Sequence, residues 1–222
     1  MRNIAIILAG GIGSRIGGKT PKQLLPLADG RSILEHSVDA FEAAPCIDEI
    51  ALVMHPDWLE EAQAVLQRNK WRKVKSIIPG GSERRESSWH AVLAYKEETD
   101  AALWFHDAAR PFVSQRILMD VAQALETHAA VTVAVPVTDT LYHVADGHIA
   151  DIPSRSEFMR AQTPQAFRLE VIEEAFRRAM TSGQVAATDD VGIVHRYMPE
   201  VPVYIVAGEE TNRKITYIED IK

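Results

Sequence analysis

Glycines and cations cluster directly after the first apolar run of the chain. The stretch LAGGIGSRIGGKTPKQLLPL contains Gly10, Gly11, Gly13, Arg15 and Lys22. Glycines let backbone N–H groups approach an anion closely, and the two side chains add positive charge beside it. Such a loop suits a triphosphate that is attacked at its α-phosphorus, a reaction that needs positioning and charge neutralisation more than a covalent nucleophile.

The same stretch also fits a competing motif. Residues 13–20, GSRIGGKT, match the P-loop pattern G-x-x-x-x-G-K-[ST]. A P-loop lysine and threonine open a long helix whose N-terminus faces the phosphates. Here Pro26 would interrupt that helix at a cost of roughly 3 kcal/mol, so we predict an extended loop instead. A P-loop NTPase or kinase, with LWFHD at residues 103–107 as its metal-binding strand, stays open as an alternative.

A dinucleotide-binding loop matches less well. After Gly11 and Gly13, Gly17 comes one residue too late for the pattern G-x-G-x-x-G. No acidic residue closes the second predicted strand at the expected distance of about 20 residues. The glycines therefore indicate phosphate binding outside the dinucleotide class.

Charge and cysteine content narrow the class of protein. The chain has 222 residues, a formal net charge of −7 and one cysteine, Cys46. An acidic chain carries no electrostatic footprint for nucleic acid or for an anionic membrane, so we expect neither partner. A single cysteine forms no internal disulfide, and no apolar run approaches the length of a membrane span. We expect a cytoplasmic protein.

Short apolar, β-rich runs alternate with helical patterns along the chain. Strands are predicted at residues 3–8, 49–54, 73–78, 102–106, 131–136 and 201–206. Helices are predicted at residues 33–43, 58–69, 83–97, 115–128 and 169–181, and the spacing of Ser32 and Glu35 predicts a capping box for the first of them. Runs such as IAIIL are apolar on both faces, as buried parallel strands are. The alternation predicts an α/β fold, with a mostly parallel sheet flanked by helices in one domain over residues 1–222 and ligands at the carboxyl ends of the strands.

One segment departs from this rhythm. Residues 138–156, TDTLYHVADGHIADIPSRS, alternate in polarity around the turn signal Asp146-Gly147. They predict a β-hairpin with little to pack against, and hence a projecting arm. The arm is either an ordinary surface hairpin or a contact between subunits.

A series of motifs resembles a known family. The segment LAGGIGSRIGGKTPKQ resembles the signature of sugar-type nucleotidyltransferases. GGSERRESS, HDAARPF, PVTDT, AQTPQAF, TDD and NRKIT follow in the order seen in cytidylyltransferases that make CDP-linked polyol phosphates. The resemblance runs from residue 8 to residue 216 and implies a Rossmann-like nucleotidyltransferase fold. It also implies attack by a substrate phosphate on CTP, assisted by Mg²⁺, with release of pyrophosphate.

The resemblance assigns roles residue by residue. It implies three catalytic cations, which are Arg15, Lys22 and Lys214. It implies nucleotide-binding positions at Ala9, Gly10, Gly11, Gly13, Gly80, Gly81, Ser82, Arg84, Ser87 and Asp107. Asp107 ends a strand at the ligand edge, where a carboxylate suits ribose or Mg²⁺. Ser82 is also a candidate N-cap of the helix that follows it.

The acceptor side is implied by the same resemblance. Contacts to the polyol phosphate are expected from Arg110, Thr140, Arg155 and Thr188. Thr140 and Arg155 flank the arm, which in the family crosses to a partner subunit, so a homodimer is implied. His106 is a tempting general base, but a phosphate nucleophile is already ionised at neutral pH, so we assign His106 an orienting role.

Two branches of the family fit the sequence, and they differ in the acceptor. One uses 2-C-methyl-D-erythritol 4-phosphate and the other ribitol 5-phosphate. Gly10, Ser82 and the segment IPSRSEFMRAQTPQ favour the ribitol branch slightly. A catalytically silent nucleotide-binding subunit is a further alternative, and the retained cations argue against it.

Overall fold

A computed structural model describes residues 1–11, 20–182 and 187–221. It contains one large sheet and one separate hairpin. The strands of the large sheet are β1 Arg2–Ala9, β2 Glu49–Met54, β3 Val74–Pro79, β4 Ala101–Asp107, β5 Ala130–Pro136, β8 Met159–Arg168 and β9 Tyr204–Ala207. The hairpin strands are β6 His143–Ala145 and β7 His148–Asp151. The helices are α1 Ile33–Glu42, α2 Leu59–Arg68, α3 Arg84–Tyr95, α4 Gln115–Leu125, α5 Leu169–Thr181 and α6 Asp190–Tyr197.

The large sheet is mostly parallel, with one exception. Its strand order is β3-β2-β1-β4-β8-β5-β9, and β8 runs antiparallel to both β4 and β5. The other neighbours pair in parallel. The predicted α/β class with a mostly parallel sheet and flanking helices is therefore confirmed.

Helices cover both faces of the sheet, and the strand side chains alternate between the two layers. Along β1, Ile4 and Ile6 pack in one apolar cluster, with residues of α3 and α5, while Ala5 and Ile7 pack in the other, with residues of α1 and α4. All four side chains are buried. This two-sided burial is what the unbroken apolar run predicts.

Local signals placed the first helix correctly. Ser32 accepts a hydrogen bond from the Glu35 backbone, and the Glu35 carboxylate accepts from the Ser32 N–H, at 2.8 Å. This reciprocal pair is the predicted capping box, and α1 begins at the next residue, Ile33. The predicted N-cap role of Ser82 is wrong, because Glu83 occupies the N-cap of α3.

Two elements escaped the sequence analysis. The strand β8 alternates poorly in sequence, since MRAQTPQAFR mixes a proline and two glutamines into a buried strand. The short helix α6 begins within the TDD motif, at Asp190, and no helix was predicted there. The last strand, predicted at residues 201–206, is observed at Tyr204–Ala207.

The strands β6 and β7 confirm the β-hairpin that is predicted within residues 138–156. Every residue of the two strands is exposed, and the pair forms a sheet of its own. Asp146 and Gly147 lie at its turn with φ of 53° and 77°, the left-handed region that this pair favours. None of the helices in the described part of the chain is long and apolar enough to cross a membrane.

Candidate active site

A cleft of about 340 Å³ opens at the carboxyl ends of β1 and β4. Its lining includes most of the residues predicted to bind nucleotide or to act in catalysis. These are Ala9, Gly10, Gly11, Lys22, Gly81, Ser82, Arg84, Ser87, Asp107 and Lys214. A doubly wound sheet presents ligands at this edge, so the cleft lies where the strand order predicts it.

Asp107, the last residue of β4, organises the charges of the cleft. Arg84 Nε donates to its Oδ1 at 3.2 Å, and Lys214 Nζ donates to its Oδ2 at 2.7 Å. Arg110 Nε lies 3.8 Å from Oδ2. Burial acts to raise the pKa of the Asp107 carboxyl, but Arg84 and Lys214 hold it well below its usual range. Asp107 thus faces three cations, one of which, Arg84, is also paired with Asp190, so the group of five side chains keeps one net positive charge.

Lys22 reaches the same edge from the glycine loop. It begins a short 3₁₀ turn, Lys22–Leu24, and its Nζ donates to the Ile215 carbonyl at 2.7 Å. Ile215 directly follows Lys214, so the two lysines come from distant parts of the chain to one place. From Thr20 onward the described segment is not a long helix, which agrees with the predicted loop and removes the structural basis of the P-loop alternative.

Gln23 holds the described end of the glycine loop in place. Its side chain is buried, and its amide nitrogen donates to the carbonyl of Ala9 and, at 3.0 Å, to that of Gly11. These bonds fix the backbone where β1 ends. The sequence analysis missed Gln23, because a single glutamine beside a lysine carries no signal of its own.

Glycines surround the Ser87 hydroxyl on the opposite wall of the cleft. Ser87 Oγ accepts the Gly81 N–H at 3.1 Å. A Cβ atom on Gly10 or on Gly80 would lie 3.0 Å from the same Oγ, which is tighter than ordinary packing. Gly10 and Gly80 therefore allow two backbone segments to close on one buried serine, and the loop after β3 is held near the loop after β1.

Glu86 shapes the turn before α3. The backbone N–H and the hydroxyl of Ser82 both donate to Glu86 Oε2, at 2.8 Å and 2.7 Å. A Cβ atom on Gly81 would lie 2.2 Å from the Glu86 Cβ, so only glycine fits there without movement. The turn that presents Gly81 and Ser82 to the cleft is thus preformed.

His106 is buried behind Asp107 and acts on its surroundings through hydrogen bonds. Its Nε2 lies 2.9 Å from the Arg110 carbonyl, which can only accept, so Nε2 carries the proton. Its Nδ1 therefore accepts from the Thr163 hydroxyl at 2.9 Å, and Thr163 Oγ1 accepts the Asp107 N–H at 3.1 Å. Burial lowers the pKa of His106 to about 4, so the ring is neutral near pH 7. This geometry fits the orienting role.

Arg110 lies beneath the cleft rather than along its lining. Its guanidinium donates to the carbonyls of Asn212, at 2.9 Å, and Ala161, at 3.2 Å. It therefore ties β8 to the segment that carries Lys214. Its predicted contact with the acceptor phosphate stays a prediction.

The remaining predicted acceptor residues lie outside the cleft of the single chain. Thr140, Arg155 and Thr188 are exposed and do not line it. Arg155 donates to the Thr138 carbonyl at 2.6 Å, which closes the base of the arm. Two further predicted residues, Gly13 and Arg15, lie outside the residues that the structure describes.

Comparison with known proteins identifies relatives of the whole chain. The family model described as "IspD: 2-C-methyl-D-erythritol 4-phosphate cytidylyltransferase" matches residues 3–222. A 2-C-methyl-D-erythritol 4-phosphate cytidylyltransferase of Thermobifida fusca is 48% identical over 99% of this chain and 90% of its own length. The bifunctional ribulose 5-phosphate reductase/CDP-ribitol pyrophosphorylase Bcs1 of Haemophilus influenzae is 39% identical over 99% of this chain, and the match covers 47% of Bcs1.

Solved structures agree with this relationship. The 4-diphosphocytidyl-2C-methyl-D-erythritol synthase of Anaerococcus prevotii superposes with a TM-score of 0.86 at 28% identity, covering 99% of this chain and 92% of that one. The 2-C-methyl-D-erythritol 4-phosphate cytidylyltransferase of Francisella tularensis superposes with a TM-score of 0.83 at 28% identity, covering 100% of this chain and 97% of that one.

Proposed function

The chain belongs to the IspD family of CTP-dependent cytidylyltransferases, and on that premise we propose that its acceptor is 2-C-methyl-D-erythritol 4-phosphate. The observation that carries this choice is the 48% identity, over nearly the whole chain, to a relative named for that acceptor. The relative named for CDP-ribitol is less similar, at 39% identity. The proposal therefore departs from the slight preference for ribitol 5-phosphate drawn from the sequence.

Two of the three features behind that preference, Gly10 and Ser82, have local explanations. Gly10 packs against the Ser87 hydroxyl, where a Cβ atom would lie 3.0 Å away. The Ser82 hydroxyl is bonded to Glu86 at 2.7 Å, in the turn before α3. Both contacts belong to the nucleotide side of the cleft, so neither residue speaks for one acceptor over the other.

The charges of the cleft suit a reaction between two anions. An acceptor phosphate oxygen attacks the α-phosphorus of CTP, a P–O bond forms, and the bond to the leaving pyrophosphate breaks. Lys22 and Lys214 are placed to offset the negative charge that grows on the pentacoordinate phosphorus. Since a phosphate monoester is largely ionised at pH 7, no general base is required. The neutral, buried His106 fits a site without one.

Mg²⁺ fits this cleft as an ion that arrives with the nucleotide. Asp107 offers one carboxylate, and the described residues contain no group of three or more ligand side chains. Mg²⁺ commonly takes one or two carboxylates and fills its octahedron with substrate phosphates and water. When bound, the ion would neutralise phosphate charge. Asp107 would hold it only after Lys214 has moved from Oδ2 to the phosphates.

The arm supplies the second part of the proposal. It exposes apolar side chains of Tyr142, Val144, Ile149 and Ile152, each with at least 56% of its surface accessible. Exposed apolar residues grouped in this way favour a protein contact. We propose a homodimer in which the arm brings Thr140 and Arg155 to the acceptor side of the partner subunit's cleft.

Pyrophosphate release with Mg²⁺ and CTP tests the acceptor, with 2-C-methyl-D-erythritol 4-phosphate and ribitol 5-phosphate assayed in parallel. We expect release with 2-C-methyl-D-erythritol 4-phosphate alone, or at a much higher kcat/KM than with ribitol 5-phosphate. A higher kcat/KM with ribitol 5-phosphate would overturn the choice. Phosphate release from ATP alone would instead favour a P-loop activity.

Subunit mixing tests the arm. Lys22→Ala and Arg155→Ala variants are each expected to be inactive alone. In a mixed dimer one of the two clefts combines an intact Lys22 with an intact Arg155 from the other subunit. Since random exchange of equal amounts makes half of the dimers mixed, about a quarter of the wild-type activity should return. A monomer by light scattering, or mixtures that stay inactive after exchange, would contradict the proposed role of the arm.

A further inference from the structure

A buried aspartate outside the cleft is not used by the mechanism above. Asp190, the first residue of α6, is 1% exposed. Its Oδ2 accepts a hydrogen bond from Arg84 at 2.7 Å, and the two residues form a salt bridge. Asp190 does not line the cleft, whereas Arg84 does. Burying a carboxylate costs free energy, so a function of Asp190 is expected in its contact with Arg84.

Arg84 is held from two sides. Its terminal nitrogen bonds to Asp190, while its Nε bonds to Asp107 Oδ1 at 3.2 Å. The other oxygen of Asp107 accepts from Lys214. Asp190 thus directs the guanidinium so that Arg84 takes one carboxylate oxygen of Asp107 and leaves the second to Lys214.

The position of Asp190 is itself fixed by the sheet. Gln165 on β8 accepts from the Asp190 N–H through its Oε1, at 3.2 Å, and its Nε2 donates to Asp189 Oδ2 at 2.7 Å. Gln165 is buried and pairs with Phe105 of β4, two residues before Asp107. The start of α6 and the end of β4 are therefore built on adjacent strands.

The electrostatics of the pair are consistent with a fixed ion pair. Burial acts to lower the pKa of Arg84, but Asp190 and Asp107 raise it above its ordinary value. Burial raises the pKa of Asp190, and the Arg84 guanidinium opposes that shift. Arg84 therefore stays charged, with its direction set by two carboxylates.

We propose that Asp190 is a positioning residue for nucleotide binding, which acts by holding Arg84 in the cleft between Asp190 and Asp107. This rests on the proposed function only in that the cleft binds CTP. Without the carboxylate at 190, Arg84 turns fully towards Asp107 and competes with Lys214 for it. The nucleotide side of the cleft then loses its arrangement of cations, while the acceptor side is not directly altered.

CTP titration calorimetry without acceptor tests the proposal, because it does not depend on the acceptor's identity. Asp190→Asn is expected to weaken CTP binding about tenfold or more, since small displacements of positioning groups are costly. Glu35→Gln is the matched control, because it makes the same charge change at another buried carboxylate that is paired with an arginine, Arg68, and that does not line the cleft. At a temperature where it is folded, the control is expected to bind CTP within about twofold of the wild type, since it removes no group that contacts Arg84.

A double-mutant cycle separates positioning from general support of the fold. In an Arg84→Gln background, Asp190→Asn is expected to add little further loss, because the partner through which it acts is gone. The KM for the acceptor should stay near the wild-type value in the single variant. Equal CTP affinities for Asp190→Asn and Glu35→Gln, or losses that add fully in the double variant, would overturn the proposal.

A second variant serves if Asp190→Asn does not fold. Arg84→Lys keeps the positive charge but lacks the fork that reaches both carboxylates. It is expected to weaken CTP binding to a similar extent with an unchanged melting temperature. Wild-type affinity in Arg84→Lys would show that bridging two carboxylates is unimportant, which overturns the proposal. If the wild type binds CTP normally but shows no turnover with the proposed acceptor, the result would count against that acceptor and not against the role of Asp190.

Discussion

Two carboxylates, the buried Glu35 and the half-buried Asp107, are both surrounded by cations or hydrogen-bond donors, yet they differ in how much positive charge around them is left unbalanced. Glu35 bonds with Ser32, Arg68 and Asn69, and these partners lower its pKa against the effect of burial. It lies away from the cleft. Asp107 faces three cations at the mouth of a cleft.

The comparison separates a structural network from a reactive one. Around Glu35 one carboxylate meets one arginine and neutral donors. Its charge is therefore balanced, and its hydrogen bonds are all made within the protein. Around Asp107 positive charge is in excess, and an incoming anion can take over the partners of the carboxylate. Surplus charge at an open edge, more than burial or a shifted pKa, is therefore what distinguishes the proposed active site.

The largest loss of activity is expected when one of the excess cations is removed. Lys22→Ala and Lys214→Ala should each lower kcat by about 10²–10³-fold, because each removes a charge aimed at the transition state. The melting temperature should change little. Steady-state pyrophosphate release and a thermal melt measure the two quantities. Lys75→Ala, at an exposed position on β3, is the control, and loss of activity there would point to a general rather than a local effect.

The next effect concerns the neutral histidine behind Asp107. Its pKa of about 4 lies below the ordinary value of 6.5, so between these pH values the unfolded chain binds a proton that the folded chain does not. The stability that this provides is complete above pH 6.5 and is lost as the pH falls towards 4, up to about 3 kcal/mol.

Urea unfolding between pH 4 and pH 7 measures that loss. His106→Asn removes the titrating ring, so its stability should fall less steeply over the same range even if it is less stable throughout. A wild-type and a variant curve of equal slope would mean that His106 titrates normally in the folded protein.

A smaller effect, on stability, is expected at Glu35, the other carboxylate of the comparison. Glu35→Gln removes the charge of the closed network and leaves Arg68 without its carboxylate, at a cost of about 1–3 kcal/mol in unfolding free energy. The kcat and the KM for CTP should stay at wild-type values below the melting temperature. Denaturant unfolding and initial-rate assays decide this, and a changed KM with unchanged stability would contradict a structural role.

The smallest effect is expected at Gly10. Gly10→Ala places a methyl group 3.0 Å from Ser87 Oγ, so the hydroxyl must shift by a few tenths of an ångström. We expect a rise of a few-fold in the KM for CTP, in keeping with a mild overpacking cost of about 1 kcal/mol. The ratio of kcat/KM values for the two acceptors should not change. A reversed ratio would mean that Gly10 selects the acceptor.

The sequence predicted the parts of the fold that local patterns encode. Apolar runs gave β1 and β2, and the Ser32 and Glu35 pair gave the start of α1. The strand β8 was missed because its buried polar residues are satisfied only by partners far along the chain. Gln165, for example, bonds to residues of the α6 turn.

The residues that line the cleft could be predicted from the sequence where they belong to a glycine-rich motif or stand at the end of a strand. Asp107 and the glycines followed from position, and Lys214 followed from the family resemblance. Asp190 and Gln23 could not be found in this way, because their role depends on partners 106 and 12–14 residues away that only the folded chain brings near. Arg110 illustrates the converse, since its motif suggested a ligand contact and its guanidinium bonds to two backbone carbonyls.

The contrast between Asp107 and Glu35 is tested most directly by one comparison of Asp107→Asn with Glu35→Gln. Pyrophosphate release and the unfolding free energy are measured for both variants. The account predicts a crossover, in which Asp107→Asn loses about 10²-fold or more in kcat/KM and stays folded, while Glu35→Gln loses stability and keeps its activity. Near-wild-type turnover in Asp107→Asn, together with inactivity in a folded Glu35→Gln, would contradict it.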